Sequence, residues 1–371
     1  MTTKMVVEAT DGEARTGRVE TARGSFATPC FMPVGTRGSV RALSSADLED
    51  LGAEVMLANT YHLMLRPGAG VVGDLGGIHG FAAWDGHVLT DSGGFQVMSL
   101  SGRVTEEGVT LRSVYDGSSH LLTPERAVAV QERLGSDIQM ALDVCPALPA
   151  PPSVVREATE RTLRWAARAR SAHRREDQAL WGIVQGGVDT ALRAESAART
   201  AELDFSGYGI GGLSVGEPRV EMLAALASAL SELPAGRPRY LMGVGDPVGL
   251  VEAIALGVDM FDCVAPTRLA RHGRVLTGSG PVSLRNAANA GHAGPLDPDC
   301  PCPVCARWSR AYLRHLLAVG EPTALRLLSL HNLAWTLALM TRAGAAVREG
   351  TLGRLRHQVA AAWAVRGGSP G

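Results

Sequence analysis

Short apolar segments recur along the chain at 31–36, 55–60, 88–92, 138–144, 180–186, 208–216, 239–245 and 260–266. Runs of this length, bounded by turn residues, predict buried parallel strands, and eight is the number that closes a (β/α)8 TIM barrel. The stretches between them predict helices. Ser44 with Asp47 three residues on reads as a capping pair, and Thr123 before Pro124 as an N-cap ahead of a proline at the first helical position. The segments 190–203, 219–233 and 247–256 are rich in alanine and leucine, of helical length, and bounded by Gly or Pro. An open doubly wound sheet shares this alternation. In a barrel the strand C-termini converge on one face, and several segments end in an acid or an amide: Asp91, Asp143, Gln185 and Asp262. Three acids at three strand ends make a better active site than a set of unrelated turn or N-cap aspartates.

Composition narrows the picture. A chain of 371 residues holds one barrel with room for insertions. Its 36 Lys and Arg against 37 Asp and Glu give a net charge of −1, so a polyanion has to be bound through a local patch. The opening residues show no charged-then-apolar leader, and no apolar run reaches the length of a membrane span, so a cytoplasmic protein is expected. Cys30, Cys145 and Cys263 are scattered singly, which does not suit a disulfide framework.

The alternation breaks after Asp262. The expected division is an N-terminal extension and barrel core over 1–266, an inserted basic subdomain over 267–331, and a C-terminal helical part over 332–371 that completes the barrel exterior. Cys300, Cys302 and Cys305 supply three soft ligands in a tight turn, and His331 is the best fourth, giving a closed Cys3His set for tetrahedral zinc. With no open position such an ion, one per subunit, holds a segment too small to fold around its own core and activates no water. Three thiols without metal, and a histidine that is an ordinary core residue, are the plain alternative. From Asp262 to Arg314 there are seven arginines, Arg268, Arg271, Arg274, Arg285, Arg307, Arg310 and Arg314, against Asp262, Asp297 and Asp299. Arginine forks suit phosphates. Arg307, Arg310 and Arg314 also fit a solvated helix face, whereas Arg268 and Arg271 follow a strand end directly. The Arg-rich helix at 156–175 reads as a plain outer helix.

These residues carry a resemblance. Asp91-Ser92-Gly93-Gly94-Phe95-Gln96, Gly211-Gly212-Leu213-Ser214-Val215-Gly216-Glu217, Asp262-Cys263-Val264-Ala265-Pro266-Thr267-Arg268 and the cysteine–histidine spacing, in that order, resemble the bacterial tRNA-guanine transglycosylases, the queuine tRNA-ribosyltransferase family. The likeness runs from Pro33 to His331 and includes 58–63 and Arg66-Pro67-Gly68. It implies a zinc-containing barrel that exchanges guanine at the wobble position of tRNA with a GUN anticodon for 7-aminomethyl-7-deazaguanine (preQ1), a step toward queuosine. It also implies a homodimer, and no nucleotide or redox cofactor. Asp262 matches the family's nucleophile and Asp91 its general acid/base. Asp91, Ser92, Asp143, Gln185, Gly211, Gly212, Leu213 and Val215 match its base-binding residues, and Phe95 and Met242 those that sandwich the ring; by themselves the last two read as ordinary core. Arg268 and Arg271 match the tRNA contacts.

Two departures stand out. Many bacterial relatives have a glutamate where this chain has Val144, so a contact thought to tune acceptance of the aminomethyl group is missing. His272 stands where asparagine is frequent. Val215 stands where bacterial members of the family carry valine and queuine-using eukaryotic members carry glycine, so the resemblance implies the smaller aminomethyl base over queuine. The rival readings are the same exchange with queuine or on DNA, a noncatalytic tRNA-binding subunit, and a metal-dependent barrel hydrolase. Retention of Asp91 and Asp262 argues against the second. The want of a histidine pair at strand ends argues against the third.

Overall fold

The computed structural model describes residues 3–94 and 102–364, and Phe95 lies outside them. The chain opens with an antiparallel sheet of β1 (Lys4–Asp11), β2 (Ala14–Thr21) and β3 (Gly24–Thr28). A parallel barrel follows: β4 (Cys30–Met32) and β5 (Val34–Gly35), β6 (Val55–Ala58), β7 (His87–Thr90), β11 (Ile138–Met140), β12 (Ala179–Val184), β13 (Tyr208–Ile210), β14 (Arg239–Leu241) and β15 (Met260–Asp262). β4 and β5 are the two halves of one barrel position, parted at Pro33, which has no N–H to give the ladder. One half pairs with β15 and the other with β6, which closes the ring at eight positions. All eight expected segments supply a strand. Between β7 and β11 a three-stranded antiparallel sheet, β8 (Arg103–Val104), β9 (Val109–Arg112) and β10 (Ser119–Leu122), projects from the barrel.

Side chains alternate between two cores. Cys30, Met32, Val55, Leu57, Leu89, Ile138, Met140, Trp181, Ile183, Tyr240 and Met260 fill the interior, while Phe31, Met56, Val88, Val184, Leu241 and Phe261 pack under the surrounding helices. Met5, Val19 and Phe26 of the N-terminal sheet join the interior set and close the end where the strands begin. Successive strand residues face opposite ways. Continuing each interior series by two residues leads to Asn59, Asp91, Gln185, Met242 and Asp262, so the polar groups beyond the strands face the axis on which the apolar layers end.

The helices begin where their caps predict. Ser44 accepts from the Asp47 N–H while Asp47 accepts from the Ser44 N–H, and Thr123 caps Pro124–Leu134. The outer helix Pro152–Ala172 spends Arg161, Arg164 and Arg168 on Glu106, Glu125 and Glu157 at its surface. After β15 come a short helix Ala265–Arg271, the hairpin β16 (Arg274–Val275) and β17 (Val282–Ser283), and helices Pro303–Arg307 and Arg310–Ala318. The helix Pro322–Arg348 then runs unbroken through the expected 331/332 division, packing against both the short helices and the N-terminal sheet. No described helix is long and apolar enough to cross a membrane.

Candidate active site and metal centre

The loops leaving the strand C-termini bring the predicted residues into one connected ring. Asp91 follows β7. Its Oδ1 accepts from the Thr60 N–H at 2.9 Å and the Gly93 N–H at 3.3 Å, and its Oδ2 accepts from the Asn59 amide. Next to it, the Ser92 hydroxyl donates to Asp143 Oδ1 at 3.0 Å, and Gln185 Nε2 donates to Asp143 Oδ2 at 2.7 Å. A Cβ on Gly211 would lie 2.8 Å from Gln185 Nε2 and 3.5 Å from Met242 Sδ, and one on Gly94 would lie 2.2 Å from Asp143 Oδ1, so only glycine fits at either place. Past Met242, the Gly243 N–H donates to Asp262 Oδ1 at 2.8 Å, and the Tyr240 hydroxyl donates to the same oxygen at 2.6 Å.

Three carboxylates thus sit in one buried mouth, each held by neutral donors. Burial raises the carboxyl of Asp91 to about 7 against hydrogen bonds from Thr60, Gly93 and Asn59, and the charge of Asp262 pushes the same way. Burial also lifts Asp143 and Asp262 above the usual carboxylate range. No cation forms an ion pair with any of the three among the described residues. Two oxygens are left for a ligand: Asp262 Oδ2 has no hydrogen-bond partner among the described residues, and the buried Gln185 Oε1 has none either. Orphaned buried acceptors mark a site completed by something bound.

The neighbouring loop is built by its backbone. Gly212 has φ +67° and Ser214 φ +61°, and the Glu217 carboxylate accepts from the N–H groups of Ser214 and Val215. Leu213 is buried and Val215 half-buried. Val144 points elsewhere: it is buried with Leu142, Tyr61 and Trp165, and its N–H donates to Thr162. The position that carries a glutamate in many relatives therefore belongs here to an apolar cluster under the outer helix.

Asn59, Tyr240 and Arg193 were not singled out from the sequence. Asn59 sits two residues past an interior leucine, and Tyr240 two before Met242, so strand period alone could have found both. Arg193 lies on the buried stripe 193, 197, 200 of its helix.

Beyond Asp262, Arg268 is exposed and Arg271 half-buried, and neither has an acceptor among the described residues. Burial and the charges of Arg41 and Arg268 lower Arg271, which places three guanidiniums together. The other arginines of the insertion are partly spent: Arg310 donates to the carbonyls of Pro295 and Leu296, Arg314 to that of Asn286, and Arg307 stacks on Trp308. His272 bonds back to the Arg268 carbonyl at 2.8 Å.

Cys300, Cys302, Cys305 and His331 form one cluster, their ligand atoms all within 4.8 Å of one another. Thiolates around tetrahedral zinc lie about 3.8 Å apart. His331 Nε2 donates to the Leu276 carbonyl at 2.8 Å, which leaves Nδ1 bare toward Cys302 and Cys305 at 3.5 and 3.3 Å. That tautomer is the one a metal requires. The donor set fits a tetrahedral ion and fills every position. Asn332, next along the helix, donates to the carbonyls of Pro266 and Arg274 and accepts from the Leu276 N–H, tying the metal helix to the one bearing Arg268 and Arg271.

Three desolvated carboxylates at the mouth of a barrel, beside arginines tied to the helix of a Cys3His cluster, fit an enzyme whose ligand brings hydrogen-bond donors and negative charge. The profile of the queuine tRNA-ribosyltransferase family matches residues 10–365. Proteins named queuine tRNA-ribosyltransferase from Desulfosudis oleivorans, Moorella thermoacetica and Caulobacter vibrioides are similar along their length. They are 52%, 53% and 52% identical over 358, 341 and 359 residues, covering 95%, 91% and 96% of this chain and 93%, 91% and 97% of theirs. The chain belongs to this family of tRNA-modifying pentosyltransferases, and its function is that of a tRNA-guanine transglycosylase of queuosine synthesis.

Proposed function

We propose that this enzyme replaces the wobble guanine of tRNA with a GUN anticodon by preQ1 through two displacements at the ribose anomeric carbon. Asp262 Oδ2 attacks as the glycosidic bond breaks, and the bond's electron pair leaves with guanine. The oxygen pair is already divided for this work: Oδ1 is held by Tyr240 and Gly243, and Oδ2 has no partner among the described residues. That division is the observation that carries the assignment. Guanine departs as its ring anion and takes a proton from solvent, to which the proton removed in the next step returns. Asp91, lifted to about 7, then takes the ring proton of the incoming base, whose nitrogen displaces the aspartyl ester.

Asp143 accepts the paired N–H donors of a guanine-type edge, with Ser92 and Gln185 orienting its oxygens. The Gly211–Leu213 backbone meets the carbonyl, Val215 bounds the 7-substituent, and Phe95 with Met242 stacks on the ring. Arg268 and Arg271 take phosphates near the anticodon. Zinc, held by Cys300, Cys302, Cys305 and His331, serves as a brace for the helix that carries them. A homodimeric, cytoplasmic enzyme follows from the same reading. Incubation with radiolabelled guanine and unmodified tRNA tests it: label should enter tRNA with a wobble guanine and be chased out by preQ1. Absence of label from such a tRNA would refute the base-exchange reading.

A further inference from the structure

Helix Thr190–Ala201 turns one guanidinium into the protein. Arg193 is fully buried, and among the described residues no carboxylate pairs with it. It donates instead to four carbonyls: Nε to Gly187 at 2.7 Å, Nη1 to Val184 at 3.0 Å and Gly211 at 2.8 Å, and Nη2 to Gly212 at 3.2 Å. Burial lowers it only to about 10, so it is charged at neutral pH. A desolvated cation satisfied by carbonyl dipoles alone is a costly way to fill a helix stripe that an apolar side chain could fill.

The carbonyls it holds belong to the loop beside Gln185. In a trans peptide the C=O and the next N–H point in opposite directions. With the Gly211 and Gly212 oxygens drawn toward Arg193, the N–H groups of Gly212 and Leu213 point away from it, and neither has an acceptor among the described residues. Gly212 needs its left-handed φ of +67° for this, and a Cβ there would fall 2.3 Å from Gln185 Oε1.

We propose that Arg193 is a positioning residue for base recognition: its fork fixes and polarises the Gly212 and Leu213 peptides so that their N–H groups receive the carbonyl oxygen of the base. The proposal rests on the base-exchange reading. Its effect grows as the glycosidic electron pair moves onto the departing base and spreads to that carbonyl, where preorganised donors act most strongly.

The test uses the full-length enzyme with tRNA and two competing bases, guanine and 2-aminopurine, which lacks the carbonyl and with it the N1–H; the loss at N1 is common to wild type and variant and cancels in the change of their ratios. Wild type should favour guanine. Arg193→Met should cut the guanine-to-2-aminopurine affinity ratio at least about tenfold, as expected for one lost charge-supported hydrogen bond. Arg193→Lys, which keeps the charge without the fork and serves if the Met variant does not fold, should fall between. An unchanged ratio in either folded variant, whatever its melting temperature, would overturn the assignment while leaving the exchange reading intact. A wild type that exchanges no base at all would sink both.

Discussion

Strand β15 has an aspartate at each end, and the two have opposite surroundings. Asp259, just before the strand, is fully buried and gripped by Arg15 through both oxygens, at 2.7 and 2.6 Å, with a third bond from the Arg239 N–H. Asp262, at the other end, meets a tyrosine hydroxyl and one N–H, and no cation among the described residues. The same contrast recurs around the barrel. Asp137, before β11, bonds to Arg23, His79 and the Val88 N–H, and although burial pushes its carboxyl up, these partners bring it below the usual range. Asp143, past the same strand, has Ser92 and Gln185 and is raised. Carboxylates at the closed end are paired with cations and hold loops together, although burial still lifts Asp259 above the usual carboxylate range against Arg15; those at the open end are desolvated with neutral donors alone, which leaves them ready for a ligand's donors.

The comparison breaks if the two ends respond alike to mutation. Asp262→Asn should abolish base exchange, a loss of at least about ten-thousandfold, with an unchanged melting curve. Asp259→Asn should do the reverse. It strands the buried Arg15 guanidinium and should cost about 3–5 kcal/mol of stability, measured by denaturant titration, while the residual folded protein still exchanges base. Chelating the metal, or Cys302→Ala, should lower the melting temperature by about 10 °C or more and expose 267–331 to protease, and an unchanged melting temperature would count against a structural ion.

Asp143→Asn should raise KM for the incoming base by about ten- to a hundredfold, the worth of one charged hydrogen-bond pair, with a smaller change in kcat. The mildest test concerns Asp91. Its carboxyl must be ionised to take a proton, so exchange should fall below about pH 7. The Asn59 amide donates to the ionised form and thereby lowers its pKa. Asn59→Ser keeps the helix cap and removes that donor, so the acid limb should move to higher pH; a limb that stays or moves down would contradict the assignment.

The mouth was more legible in the sequence than the base. Asp91, Asp143, Gln185 and Asp262 end apolar segments, and strand period sends Asp91, Gln185 and Asp262 to the axis; Asp143, three residues past the interior Met140, is off that period and reaches the mouth because the strand has already ended. Strand lengths were less so. The segment 138–144 reads as one strand, but the ladder stops at Met140, because Leu142 and Val144 leave the barrel to pack with Tyr61 and Trp165 under the outer helix. The sheet at 103–122 has no place in the strand–helix alternation and escaped notice. The closed end depends on partners such as Arg15 and Asp259, 244 residues apart, which no local pattern joins. The unbroken helix Pro322–Arg348 is similar: His331 drew attention to metal binding, while Asn332 beside it, clamping the Arg268 helix, carries no motif of its own.

The most direct measurement is to trap the enzyme with unmodified tRNA in the absence of an incoming base, denature and digest it, and locate the ribosyl ester by mass spectrometry. The expected result is a single adduct on the peptide containing Asp262, absent from Asp262→Asn and present in the folded fraction of Asp259→Asn. An adduct on any other residue, or one that survives Asp262→Asn, would contradict the nucleophile and with it the division of labour between the two ends of the barrel.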